Sequence, residues 1–130
     1  NHVSEEAILI AKKCIPDLYA ITDSIAASGL KDGNYKFANV GIEKKNNKVY
    51  LNGTKTLAGS VVNMHDTFLN LLKMKISIED AVRMTSYSAS KFLKKEDIGV
   101  IANGKKANFL ILDYEFNIKS IYLNGKLING

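Results

Sequence analysis

Residues 18–29, LYAITDSIAASG, narrow most sharply what this chain can fold into. An apolar run of Leu18, Tyr19, Ala20, Ile21 and Thr22 stops at Asp23, and small residues follow: Ser24, Ala26, Ala27, Ser28 and Gly29. A run this short, rich in β-formers and without room for a helix, predicts a buried strand. Two readings of Asp23 arise from the stretch by itself. Asp favours turns, so it can simply cap the turn that ends the strand. In α/β barrels, however, active sites lie at the C-terminal ends of the strands, and a carboxylate there is well sited for chemistry.

The flanking segments predict an α/β protein. Residues 3–14 read as a helix, with Ser4 as N-cap, Glu5 and Glu6 in the first turn, and Lys12 and Lys13 near the end, as the helix dipole favours. Ala7, Ile8, Ala11 and Cys14 share one face. Pro16 stops the helix and pushes Ile15 towards extended backbone. Helix followed by buried strand is half of a βαβ unit, which puts His2 at the end of a preceding strand. Residues 35–44 and 48–52 predict a hairpin about the Asn46-Asn47 turn. A loop with TKTLAGS leads into a helix at 61–73, with Ser60 as the candidate N-cap. Further helices are expected at 78–86 and 88–93. The last third changes character: residues 99–101, 108–112, 118–123 and 126–128 read as short strands, with Asn124-Gly125 a strong hairpin turn.

With 130 residues, 46% of them apolar, the chain is long enough for one domain with a real core. No apolar run approaches the roughly 18 residues that span a membrane, so no membrane partner is expected. The polar start shows no signal peptide, and without an initiator Met the chain reads as a mature or excised piece. The single cysteine, Cys14, favours a reducing, cytoplasmic setting and is expected in the core. The net charge is +5, but the lysines are scattered and Arg83 is the only arginine. That pattern argues against nucleic acid as a partner. The lysines read as solvated surface, whose sign still favours a phosphate-bearing substrate.

The chemical inventory is thin. The histidines are His2 and His65, the second expected on the helix surface. No HxH, CxxC, HExxH or GxSxG occurs. A hydrolytic metal site needs about three protein ligands, which this chain does not assemble alone.

Several separate stretches, in order, carry a resemblance: HVS at 2–4, ITDSIAASG at 21–29, LAGS at 57–60, RMTS at 83–86, IGVIANGKKANFLILD at 98–113 and IYLNGKLI at 121–128. Together they resemble the C-terminal part of the N-acetylglucosamine-6-phosphate deacetylase family of the amidohydrolase superfamily. The last two stretches are similar to strands common to many amidohydrolases; the combination of HVS, TDSIAASG and LAGS is more specific.

The resemblance implies the C-terminal portion of a (β/α)8 TIM barrel plus C-terminal strands of a small β-sandwich. Residues 1–97 would be barrel, with a hairpin insertion at 35–52, and residues 98–130 the sandwich share. It implies that Asp23 is the catalytic carboxylate, first general base and then general acid, and also a candidate ligand to a second metal ion. It implies that His2 contacts the sugar phosphate and that Leu57, Ala58 and Gly59 line the sugar site. It implies a divalent metal ion, zinc by preference, with its ligands upstream of residue 1 and none in this chain alone. It implies a cytoplasmic enzyme, dimeric when intact, with the isolated 130-residue chain inactive. Asn108 departs from the Asp common in amidohydrolases, and Asn1 from an apolar residue. Two other readings stand beside this one: another amidohydrolase acting on a different amide, and a non-catalytic α/β assembly module.

Overall fold

In the computed structural model, residues 3–129 are described, so the expectation for His2 lies outside them. Helix α1 (Glu5–Cys14) begins where expected, the Ser4 hydroxyl accepting the Ala7 N–H at 3.3 Å. It buries none of its residues, so Cys14 is exposed rather than in the core.

Residues 18–22 are half-buried except Ile21, which is 68% exposed, and they form no ladder. The expected buried strand is therefore an extended segment. A strand needs neighbours, and the described residues supply only isolated bonds: the Ala20 N–H donates to the Met84 carbonyl at 2.9 Å, and Ser24 bridges Ser60 in parallel.

The next element is larger than the hairpin expected. Strands β1 (Gly33–Phe37), β2 (Val40–Lys45) and β3 (Lys48–Leu51) form an antiparallel sheet. The arm expected at 35–44 turns back on itself at Ala38, whose φ of +52° makes a turn that composition did not signal. The Asn46-Asn47 turn is as expected, with φ of +50° and +56°, matching the twist of paired strands. Ile42 and Val49 of this sheet, with Ala27, form one buried cluster, flanked by Ile25, Tyr35, Leu51, Ala58 and Val61. Lys44 is buried beside them, and its ammonium donates to the Leu30 carbonyl.

Helix α2 (Met64–Lys73) starts three residues later than the sequence suggested. Asn63, not Ser60, is the N-cap: it accepts from the Asp66 N–H at 2.8 Å, and Asp66 accepts from the Asn63 N–H at 3.2 Å. Helices α3 (Ile78–Val82) and α4 (Ser88–Phe92) are joined by a π-helical turn, Arg83–Tyr87. The Thr85 hydroxyl donates to the Ala81 carbonyl at 2.8 Å, competing with the α-helical ladder at that point. The widened turn leaves the Met84 carbonyl to accept from Ala20. Phe68, Leu71, Ile76, Ala81 and Met84 form the second buried cluster, which Ile8, Leu9 and Leu18 join from the N-terminal side.

The C-terminal sheet is β4 (Phe109–Leu112), β5 (Ile118–Leu123) and β6 (Lys126–Asn129), antiparallel throughout. Residues 99–101 are not a strand; Ile101 is 86% exposed and pairs with nothing in the sheets. Asn108 caps the Asn124-Gly125 turn, its Oδ1 accepting the Asn124 N–H at 2.7 Å. A carboxylate would accept the same bond, so either Asn or Asp serves this turn. His65 is not a surface histidine: it is half-buried, donates Nε2–H to the Phe116 carbonyl at 2.7 Å, and stacks on Phe68. With Leu112 and Phe116 in the second cluster, it ties the C-terminal sheet to α2.

Asp113 organises the turn between β4 and β5. Its carboxylate accepts from the N–H groups of Asn117 at 2.8 Å and Glu115 at 3.0 Å. The backbone bond from Asn117 is the chief cause that holds its pKa below the usual carboxylate value. A folded-state pKa that is depressed adds stability above the unfolded value, lost as pH falls through the folded one. Unfolding free energy should therefore drop on acidification below about pH 4, and Asp113→Asn should reduce that slope. Denaturant titrations between about pH 3 and 7 check this, and an unchanged slope in the variant counts against it.

Candidate functional site

Asp23 lies between the two clusters. Leu18, five residues before it, packs in the cluster of the helices; Ile25, two residues after it, packs in the cluster of the N-terminal sheet. Asp23 itself is exposed and has a φ of +50°. The left-handed region is open to Asp and Asn at lower cost than to other side chains.

The segment that faces Asp23 extends the N-terminal sheet. Beyond β3 the chain turns at Gly53, the Leu51 N–H donates to the Thr56 carbonyl at 3.0 Å, and Leu57 bridges Tyr50 in antiparallel fashion. The Ala58 N–H donates to the Val49 carbonyl at 2.9 Å. Leu57 and Ala58 are thereby fixed on the sheet, and Gly59 passes directly beside Asp23. A side-chain carbon on Gly59 would stand 2.6 Å from Ile25 Cγ2, 3.2 Å from the Asp23 carbonyl oxygen and 3.8 Å from Asp23 Oδ2. Gly59 also has a φ of +68°, so both space and backbone call for glycine there.

Immediately beyond, two chain segments are cross-linked. The Ser60 N–H donates to the Asp23 carbonyl at 2.9 Å, and the Ile25 N–H donates to the Ser60 carbonyl at 3.0 Å. Three hydroxyls lengthen this single bridge: Ser60 donates to the Thr22 carbonyl, Ser24 to the Val62 carbonyl, and Ser28 to the Val61 carbonyl at 3.1 Å. Sequence reasoning noted these serines only as small residues or as a cap. Their position opposite a second small-residue segment was the available signal, and it is a tertiary one.

The structure thus places Gly59 beside Asp23, with Leu57 and Ala58 preceding it on the edge of the N-terminal sheet. Among the described residues no group of three or more His, Cys, Asp or Glu side chains is placed to hold a metal ion. Also among the described residues, no helix is long and apolar enough to cross a membrane.

Packed helices, an extended segment that pairs through a parallel bridge and flanking antiparallel sheets make this an α/β arrangement, with an exposed carboxylate at the end of the extended segment. Residues 4–128 match the amidohydrolase family, and the chain belongs to it. The chain is 30% identical over 131 residues to the human N-acetylglucosamine-6-phosphate deacetylase, covering 98% of this chain and 32% of that protein. It is similar in structure to N-acetylglucosamine-6-phosphate deacetylase from Thermotoga maritima, with a TM-score of 0.86, 30% identity, and coverage of 97% of this chain and 35% of that one. The enzyme of the same name from Pasteurella multocida gives a TM-score of 0.91 at 26% identity, over 99% of this chain and 35% of that one. The chain therefore spans about a third of the length of the relatives it matches.

Gly59→Ala should cost about 1–3 kcal/mol, because the positive φ is strained and Ile25 must move. Thermal or denaturant unfolding measures this, and a change within about 0.3 kcal/mol would show that the 59–60 segment has room to spare.

Proposed function

We propose that this chain carries the proton-transfer portion of an enzyme that hydrolyses N-acetylglucosamine 6-phosphate to glucosamine 6-phosphate and acetate. The observation that carries the reading is Asp23, held beside Gly59 within a chain that aligns over nearly all its length with deacetylases of that name.

Amide hydrolysis forms a C–O bond from water and breaks the C–N bond, and the departing amine must leave protonated. Asp23 takes the proton from the attacking water and returns it to the nitrogen. Its exposure leaves the carboxylate accessible to a substrate on that side. Leu57, Ala58 and Gly59 line the sugar, and His2 contacts the phosphate. The family's divalent metal, which activates the water when bound, would take its ligands from outside this chain; zinc is our reading of its identity.

In architecture, residues 1–97 are read as the closing part of a (β/α)8 barrel, with residues 18–22 as its last strand. The N-terminal sheet is an insertion after that strand, and residues 98–130 are part of a small β-sandwich. The intact enzyme is read as a cytoplasmic homodimer, and the isolated 130-residue chain as inactive.

Asp23→Asn is the direct test, made in a family-length protein containing this chain. Asn tolerates the same left-handed backbone, so folding should persist. Loss of the acid–base group should lower kcat by about 10²- to 10⁴-fold. A kcat close to that of the parent would remove Asp23 from the reaction.

A further inference from the structure

We infer that Ser60 is a positioning residue for Asp23, fixing the carboxylate by holding the two peptide groups on either side of it. The inference rests on the reading of Asp23 as the proton-transfer group.

The backbone angles of Asp23 are set by the orientations of the 22–23 and 23–24 peptide planes. Ser60 grips both. Its hydroxyl donates to the Thr22 carbonyl, which belongs to the first plane. Its backbone N–H donates at 2.9 Å to the Asp23 carbonyl, which belongs to the second. One residue therefore holds φ and ψ of Asp23 together, in a left-handed conformation that an ordinary side chain adopts at a cost. Thr22 adds a local restraint, its Oγ1 accepting the Ser24 N–H at 3.3 Å.

Ser60 is fixed in its turn. Its carbonyl accepts the Ile25 N–H at 3.0 Å, and its Oγ accepts the Val62 N–H at 3.4 Å. It follows Gly59, whose missing side chain permits the close approach. Ser24 adjoins Asp23 in the chain, but Ser28 acts elsewhere: it joins Val61 and touches neither plane beside Asp23. Ser28 is thus an internal control for the structural value of one such bond.

Removing the Ser60 hydroxyl frees the first plane and lets the carboxylate swing. Misplacement of a reacting group on the ångström scale costs up to about 100-fold. In a family-length protein containing this chain, Ser60→Ala should therefore lower kcat about 10- to 100-fold with KM within about twofold. Ser60→Thr, which keeps the hydroxyl, should recover most of the loss. Ser28→Ala should lower stability as Ser60→Ala does while kcat is retained. The double variant Asp23→Asn/Ser60→Ala should be no slower than Asp23→Asn alone, because Ser60 acts through Asp23.

Should Ser60→Ala fail to fold, Ser60→Cys keeps a side chain of similar shape with a weaker donor and carries the same comparison. Loss of kcat in Asp23→Asn with an unchanged kcat in Ser60→Ala overturns the positioning role alone. So do equal effects of Ser60→Ala and Ser28→Ala, or a full additive loss in the double variant. Retained kcat in Asp23→Asn overturns the catalytic reading, and the role of Ser60 with it.

Discussion

The stretch from Leu18 to Ile25 is rooted in two separate cores, and the rest of the structure depends on that. At one end Leu18 packs against the helices, and Ala20 is bonded to Met84. At the other, Ile25 packs against the N-terminal sheet and is bonded to Ser60. Asp23 lies between these roots. An extended segment with few backbone partners is ordinarily mobile, but anchorage at both ends leaves little slack. The polar groups that link the two halves are backbone carbonyls met by small donors, so the carboxylate itself is left to face outward.

Each core contributes through an irregularity. In the helical half it is the π turn at Arg83–Tyr87, which presents the Met84 carbonyl to a neighbour outside the helix. In the sheet half it is the left-handed passage through Gly59, which brings residues 59–60 against residues 22–23. Regular elements satisfy their own backbone groups; irregular ones have bonds to spare for partners. Phe116 follows the same logic in the C-terminal sheet, where a φ of +64° turns its carbonyl towards His65 and its ring towards Phe68.

Much of this was legible in the sequence, and the parts that were not share a cause. The α1 cap at Ser4, the Asn46-Asn47 and Asn124-Gly125 turns and the helical register around Phe68 and Leu71 are local, and local chemistry dictates them. The Ala38 turn was missed because Ala carries no turn signature, and its positive φ is imposed by pairing of β1 with β2. The cap of α2 lies at Asn63 and not at Ser60 because Asn63 and Asp66 form a reciprocal capping pair at the helix start. Hydrophobicity marked Ile21 and Ile101 as strand residues, but strands exist only where a second strand meets them. At the candidate site, the resemblance supplied Asp23 and residues 57–59; the serine cross-links between them are long-range contacts that no periodicity encodes.

The extension of the N-terminal sheet through residues 56–58 has a consequence for timescale. Those residues are its outermost rung, held by the bonds of Leu51 to Thr56 and of Ala58 to Val49. Edge rungs open more often than central ones, and whatever hangs on them opens too. Ser60, which bonds the Asp23 carbonyl, follows two residues after Ala58, so opening of that rung loosens the hold on Asp23. Amide exchange at Ala58 therefore reads out how long that hold on Asp23 lasts.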